Sequence, residues 1–303
     1  MAVTALQRRW MSPAGHELAG VVRSRLVSGG SLDDVGLGRV DGLLDLRGIS
    51  FGGRGAELHG RSVTGIAFDS ADLTALRFVG CTVRDCRFDR AFCVDWRVRT
   101  TDMSRCSFVG ANLLSSSLGA WLPGEERGNV YDHVQFTKAK MRRISTSAAT
   151  YVDCDFSDAD LREVNFWQSS LIRCTFAGAV RQVVFEGRML GEAKPDPNPM
   201  HAVDFSAARL RGTDFRAVDL RRVVLPNDPD LLLIADVSVL NDASTQLTSH
   251  TGEHDTTFAA TILDHLRKTL LPGTSGLVNL RDVASDAEFI ADLLLAAGAT
   301  RLG

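Results

Sequence analysis

The stretch of sequence that decides the fold runs from Ala56 to Ala120. Divided into fives, it reads AELHG RSVTG IAFDS ADLTA LRFVG CTVRD CRFDR AFCVD WRVRT TDMSR CSFVG ANLLS SSLGA. The third residue of every unit is apolar: Leu58, Val63, Phe68, Leu73, Phe78, Val83, Phe88, Cys93, Val98, Met103, Phe108, Leu113 and Leu118. This spacing matches neither the roughly 3.6 residues of a helical turn nor the roughly 2 residues of a strand. A fixed repeat of this kind predicts a solenoid, in which each unit buries its apolar side by stacking on its neighbours.

The other positions of the unit also have a pattern. The first residue is usually small: Ala56, Ala71, Cys81, Cys86, Ala91, Cys106, Ala111 and Ser116. The last residue is glycine at Gly60, Gly65, Gly80 and Gly110, where a corner needs a permissive backbone. These units resemble the pentapeptide-repeat family over roughly residues 46–225. The resemblance implies a mainly β fold, in which four units make a square coil and the coils stack as a right-handed quadrilateral β-helix.

Charged residues support four units per coil independently of the resemblance. Opposite charges recur at a separation of twenty residues: Lys138 and Asp158, Lys140 and Asp160, Arg143 and Glu163, Asp85 and Arg105. Stacked coils would place each pair on neighbouring strands at roughly 5 Å.

The chain divides into three parts in this interpretation. Residues 1–45 form an N-terminal helical cap, because Ser12-Pro13 is a typical helix start and Gly29-Gly30 a typical helix end. Residues 46–225 form the solenoid. Its end strands would be unpaired, so the N-terminal and C-terminal parts are expected to cover them. Residues 226–303 form a C-terminal helical domain with 11 acidic and 4 basic residues, which either caps the last coil or makes a dimer.

Two proline-containing loops, 119–129 and 187–198, interrupt the repeat. Met200 lies twenty residues after Val180, which predicts that the second loop leaves the stack in register.

Composition excludes several classes of function. The formal net charge is −3, which predicts no general affinity for nucleic acid or membranes. No apolar run approaches ~18 residues, so no membrane span is expected. The N-terminus lacks the core of a signal peptide, so a cytoplasmic location is expected.

Neither a cofactor nor an enzyme activity is expected. Five of the six cysteines occupy the small position and Cys93 a centre, as expected of small buried hydrophobes. His250, Glu253, His254 and Asp255 could bind zinc, but a solvated polar loop is the better interpretation. No phosphate-binding glycine motif or serine-nucleophile elbow is present, and a packed solenoid has no substrate cavity.

Basic and apolar residues define a candidate binding surface. Arg142, Arg162, Arg181, His201 and Arg221 each follow a centre, with Arg143 and Arg222 beside them. They predict a basic stripe for an anionic partner, the alternative being arginines on a solvated face. Trp121, in the first loop, and Trp167 complete the candidate surface. Two apolar groups should also point outward: Phe92, Val94 and Leu114 on one face, and Val152, Ile172 and Trp167 on adjoining faces.

The resemblance gives the most concrete functional expectation. Some pentapeptide-repeat proteins are rod-shaped dimers that protect bacterial DNA gyrase and topoisomerase IV from quinolones or from a producer's own antibiotic. This chain resembles them in its repeat runs, its loops and its C-terminal segment, which implies a protein partner, antibiotic resistance or self-resistance, and a homodimer through the C-terminal helices. It differs in charge, because residues 56–118 carry 7 acids and 8 bases. The alternative hypothesis is a scaffold or regulator whose basic face binds an acidic protein or nucleic acid. A metal protein or enzyme is the third and least favoured hypothesis.

Overall fold

Short parallel strands stack into the four faces of a coil along the repeat. A computed structural model describes residues 5–52, 55–119, 127–188, 200–250, 256–283 and 285–303. The first face is an eight-stranded sheet of Glu57–His59, Arg77–Val79, Arg97–Arg99, Ser117–Gly119, Ser145–Thr146, Asn165–Trp167, Val184–Glu186 and Asp214–Arg216. The second face is a seven-stranded sheet of Ser62–Thr64, Thr82–Arg84, Asp102–Ser104, Val130–Asp132, Thr150–Val152, Ser170–Ile172 and Met200–His201.

The other two faces consist mostly of single bridges. The third face begins at the strand Ile66–Ala67 and runs through Arg87, Ser107, Gln135, Asp155, Thr175, Asp204 and Val224. The fourth face runs through Ser50, Asp72, Phe92, Asn112, Lys140 and Asp160, then through the strands Gly178–Arg181 and Ala208–Arg211. Glu57 lies opposite Arg77 and Arg77 opposite Arg97, so the twenty-residue coil and the quadrilateral stack are confirmed.

The residue two after each centre forms the corner. It adopts the left-handed backbone at Gly60, Gly65, Gly80 and Gly110, as predicted. Most other corners have the same conformation without glycine, with φ from 45° at Thr100 to 64° at Ala75. Every such corner carries a conformational cost that the stack must offset, because this region is unfavourable for residues with a Cβ.

Stacked aromatic side chains fill the interior. Phe88 and Phe108 lie face to face with centroids 4.7 Å apart, and Phe156 and Phe176 do so at 4.8 Å. Their column comprises Phe68, Phe88, Phe108, Phe136, Phe156, Phe176 and Phe205. Rings from the first face meet the column edge-on, as Phe166 does against Phe176. The edge-on contacts between columns are favourable for aromatic quadrupoles, and the packed rings exclude solvent.

The register departs from twenty residues at the loops. Ser117 pairs with Ser145 across the first loop. Across the second loop Met200 pairs with Leu171, while Val180 pairs with Leu210. The prediction that Met200 stacks on Val180 is therefore wrong, because the loop lies within the coil as an insertion and does not replace two of its sides. In the sequence, each loop segment stands between a strand of the first face and a strand of the second face.

Helices α1 (Ala5–Arg8) and α2 (Pro13–Ser28) lie at the N-terminal end. As predicted, α2 begins after Ser12, whose Oγ accepts from the Gly15 amide, and ends at Gly29 with φ 84°. Its buried residues Ala19, Val22 and Leu26 join the solenoid core. A short antiparallel pair, Arg39–Val40 and Leu43–Asp45, leads into the first coil.

The C-terminal part contains strands as well as helices. Helices α3 (Val237–Thr248), α4 (Thr256–Thr269) and α5 (Ala287–Ala296) pack on an antiparallel sheet of Gly276–Asn279, Asp228–Ile234 and Thr300–Leu302. The expected C-terminal helices are therefore present. The sheet was not expected, because the run Leu231–Ile234, which is mostly buried, forms its central strand.

This C-terminal part covers the end of the solenoid. The Ala217 amide donates to the Thr269 carbonyl at 2.8 Å, and the Ser275 amide donates to the Val218 carbonyl at 2.9 Å. The sequence left open whether this part caps the last coil or makes a dimer, and these contacts are those of a cap. No helix in the described ranges has the length and apolar character needed to cross a membrane.

Candidate binding surface

The predicted basic stripe divides between two faces. Arg181 lies opposite Arg211 on the fourth face, whereas His201 lies opposite Ile172 on the second face. The Ala202 amide donates to the Arg222 carbonyl at 2.8 Å, which places Arg222, with Arg221 beside it, next to His201 in the following coil. The five predicted residues therefore do not form one column, since the second loop shifts the register between Arg181 and His201.

The fourth face gains basic residues that the linear pattern did not select. Arg142 and Arg162 occupy equivalent positions in successive coils, since the Arg143 amide donates to the Arg162 carbonyl. The Glu163 amide donates to the Gln182 carbonyl, which places Arg181 within one residue of the same position in the next coil. We define the basic ladder as six residues on four successive coils: Lys140, Arg142, Arg162, Arg181, Arg209 and Arg211. All six are exposed except Arg142, which is half-buried.

Carboxylates pair with three members of the basic ladder. Arg142 contacts Glu163 at 3.0 Å, Arg162 contacts Asp160 at 2.6 Å and Arg211 contacts Asp282 at 3.3 Å. Hydrogen bonds from Arg143 and then Arg142 lower the pKa of Glu163, and those from Arg162 lower the pKa of Asp160. Lys140, Arg181 and Arg209 form no ion pair within 4.0 Å with any described residue.

A largely apolar groove lies on the same face at its N-terminal end. It has a volume of about 660 Å³ between α2 and the first coils. Its lining includes the apolar side chains of Trp10, Met11, Ala19 and Phe92 and, among its polar residues, the charged Arg23, Asp72 and Arg90. Met11 is 57% exposed, whereas the Trp10 indole is held by a hydrogen bond to the Arg47 carbonyl at 2.8 Å.

The outward apolar residues continue from this groove. Phe92 bridges to Asn112, and the Asp95 amide donates to the Leu114 carbonyl, so Phe92, Val94 and Leu114 share the fourth face as the sequence indicated. All three are half-buried.

The remaining candidate residues lie apart from the basic ladder. Trp167 is 36% exposed on the first face, where its indole donates to the Arg188 carbonyl at 3.1 Å. Arg221 pairs with Asp219 at 2.8 Å, and Arg222 beside it is exposed. Trp121 lies outside the described residues.

The structure places the possible metal ligands as follows. All six cysteines are buried free thiols, as predicted. Of the zinc candidates, only His250 lies within the described residues. Asp132, His133 and Asp153 form a cluster that the sequence did not indicate. Arg173 donates to both oxygens of Asp153, at 2.7 and 2.6 Å, so a guanidinium already neutralises this carboxylate.

Ion pairs between neighbouring coils neutralise other charged side chains of the solenoid. Arg105 donates to both oxygens of Asp85 at 2.7 and 2.8 Å, and Arg143 pairs with Glu163, both as predicted. Lys140 also lies opposite Asp160, but that carboxylate pairs with Arg162 within its own coil.

Comparison with known proteins agrees with this architecture. The family model for pentapeptide repeats matches residues 149–180 and 200–227 with eight copies. The matched residues lie in the second half of the solenoid, and the same five-residue unit continues through the stacked faces. No curated protein matches the chain significantly.

Two solved structures are among those that resemble it. A trypsin-treated variant of QnrB1, a plasmid-mediated fluoroquinolone resistance protein, has 20% identity, covers 61% of this chain and 88% of its own, and gives a TM-score of 0.34. HetL, involved in heterocyst differentiation regulation in the cyanobacterium Nostoc sp. strain PCC 7120, has 14% identity, covers 68% and 92%, and gives a TM-score of 0.30. Scores this low do not support the transfer of any function.

Proposed function

We propose that this protein is a non-catalytic binding protein that meets a macromolecular partner through the outer faces of its solenoid. The packed interior is the observation that carries the proposal. Aromatic columns occupy the centre of the coils, and a cavity under α2 has a volume of only about 10 Å³. Such an interior cannot admit a substrate, so recognition falls to exposed side chains.

A type II DNA topoisomerase is the specific partner that the family resemblance suggests. The two loop segments between strands of the first and second faces would supply contacts beyond the flat faces of the rod. Mimicry of DNA charge would not supply them, since residues 56–118 carry 7 acids and 8 bases. In this proposal the protein protects the enzyme in antibiotic resistance or self-resistance through shape complementarity and specific side-chain contacts.

A supercoiling assay tests the proposal. Purified gyrase is incubated with relaxed plasmid, with and without a fluoroquinolone, across a concentration series of this protein, and topoisomerase IV is tested by decatenation. We expect the protein either to restore activity in the presence of the drug or to inhibit activity without it. A type I topoisomerase is the control, because it should be unaffected. If neither gyrase nor topoisomerase IV changes at any concentration, the topoisomerase is not the partner.

A further inference from the structure

We propose that the fourth face binds a helix of a partner protein that is apolar at one end and acidic over the rest of its length. The apolar end of that helix would occupy the groove beside α2, and its carboxylates would lie along the basic ladder. This inference rests on the proposed binding function and specifies the chemistry of the partner. It does not require that the partner is a topoisomerase.

Continuity of the groove with the basic ladder is the first reason. Phe92 lines the groove, and Val94 and Leu114 extend the apolar surface over the next coil. Lys140 and Arg142 follow in the coil after that. From Phe92 to Arg211 there are five steps between coils, or ~24 Å at ~4.8 Å per strand. A helix of about 16 residues has this length.

The uncompensated charge of the basic ladder is the second reason. Arg181 lies opposite Arg211, and like charges opposite each other on neighbouring strands destabilise a sheet. Six cations share Asp160, Glu163 and Asp282, so the face is positive although the whole chain has a formal charge of −3. Carboxylates of a partner would relieve this repulsion, and long exposed arginines suit them because they bind carboxylates in a bidentate fork.

Strand geometry favours a helix over an extended peptide. The strands of the fourth face pair within the stack on both sides, as Lys140 does with Asn112 and Asp160. The inner strands of this face therefore offer no free edge for an added strand. At the last strand, the Leu210 carbonyl accepts from the Asn279 side chain and the Gly212 amide donates to Asp282, so recognition along the face must use side chains. A helical turn rises ~5.4 Å against ~4.8 Å between coils, so one carboxylate per turn follows the coils closely over three or four turns.

The same face is poorly suited to nucleic acid. A duplex or single strand presents phosphates along its whole length, whereas this face is apolar over one part and basic over the other. Separate apolar and basic areas fit a protein segment that has an apolar part and an acidic part in the same order.

Selection from a random library of helical peptides, displayed on phage against the full chain, tests the inference. The probe is a displayed peptide of about 16 residues, the length worked out above. We expect the selected peptides to combine an excess of Asp and Glu at one end with Leu, Phe or Trp at the other. The best peptide is then synthesised, and its affinity is measured by fluorescence anisotropy at low and physiological salt.

Two pairs of substitutions separate the basic ladder from general electrostatics. Arg181→Glu with Arg209→Glu should weaken peptide binding by about tenfold or more, because both charges face the bound carboxylates. Arg77→Glu with Arg84→Glu makes the same change in charge at exposed arginines on the first and second faces, and should leave affinity within about twofold. Phe92→Ala should weaken binding through the groove. If the first pair lowers the unfolding temperature, Arg181→Gln with Arg209→Gln replaces it.

The outcomes are distinct from those of the topoisomerase assay. Selection of peptides without an acidic excess, or equal effects of the two arginine pairs, would overturn the inference. Tighter binding of a 16-base-pair DNA duplex than of the peptide, lost in the ladder pair, would assign the face to nucleic acid and also overturn it. Peptide binding that depends on the basic ladder, together with inactive topoisomerase assays, would support the inference and refute the topoisomerase proposal alone.

Discussion

Substitution of Gly119 by alanine should destabilise the solenoid more than the same substitution at an open corner glycine such as Gly60. Gly119 pairs with Thr146 of the next coil at the edge of the first loop. A Cβ there would lie 2.2 Å from the Thr146 carbonyl carbon and 2.5 Å from the Ser147 oxygen, both of them backbone atoms. The coils would have to separate by about 1 Å, which overpacks the contact and weakens the Ser145 hydrogen bond to the Gly119 carbonyl, at a total cost of about 3 kcal/mol.

Two other glycines provide matched controls for Gly119→Ala. A Cβ at Gly60 meets no atom within 4 Å, but φ is +63°, so Gly60→Ala should cost about 1 kcal/mol for the backbone alone. Gly20 lies inside α2, where a Cβ comes no closer than 4.0 Å to Arg23, so Gly20→Ala should stabilise by about 0.5–1 kcal/mol. Urea unfolding followed by circular dichroism measures all three. A Gly119→Ala protein no less stable than Gly60→Ala would refute the close approach of the two coils.

Three further predictions concern buried groups. The Tyr131 hydroxyl donates to the Leu118 carbonyl at 2.6 Å, whereas the Tyr151 hydroxyl has no hydrogen-bond partner among the described residues. Tyr131→Phe should therefore cost about 1 kcal/mol and Tyr151→Phe should be neutral or stabilising in the same urea experiment. Burial raises the pKa of Asp45, but hydrogen bonds from Arg47 and Arg9 outweigh it and hold the pKa well below its usual range. The stabilisation by the Asp45 carboxylate is therefore fully present above its unfolded pKa of about 3.9 and is lost as the pH falls. When the melting temperature is measured against pH, Asp45→Asn should lose less of it on acidification than the parent protein does. The six buried thiols should resist a thiol reagent in the native protein and react together in denaturant, and rapid native labelling of any of them would contradict the packed interior.

The candidate surface was only partly predictable from residue order. Arg142, Arg162 and Arg181 were correctly aligned, because the coils between them contain no long insertion. His201 and Arg221 were placed in the same column by counting, and Arg209 and Arg211 were missed, because counting cannot tell which side of a coil an insertion lengthens. The groove beside α2 depends on how a helix packs across the coils, and no local pattern encodes that packing.

Some features of this protein were determined by the sequence alone. The spacing of five, the small first position and charges twenty residues apart set the coil, its corners and the two ion pairs Asp85–Arg105 and Arg143–Glu163, because each depends on neighbours at a constant separation. Tertiary structure decided the rest. It set the register across the two loops, the central strand Asp228–Ile234 and the close approach at Gly119, since each depends on segments whose separation along the chain has no fixed period.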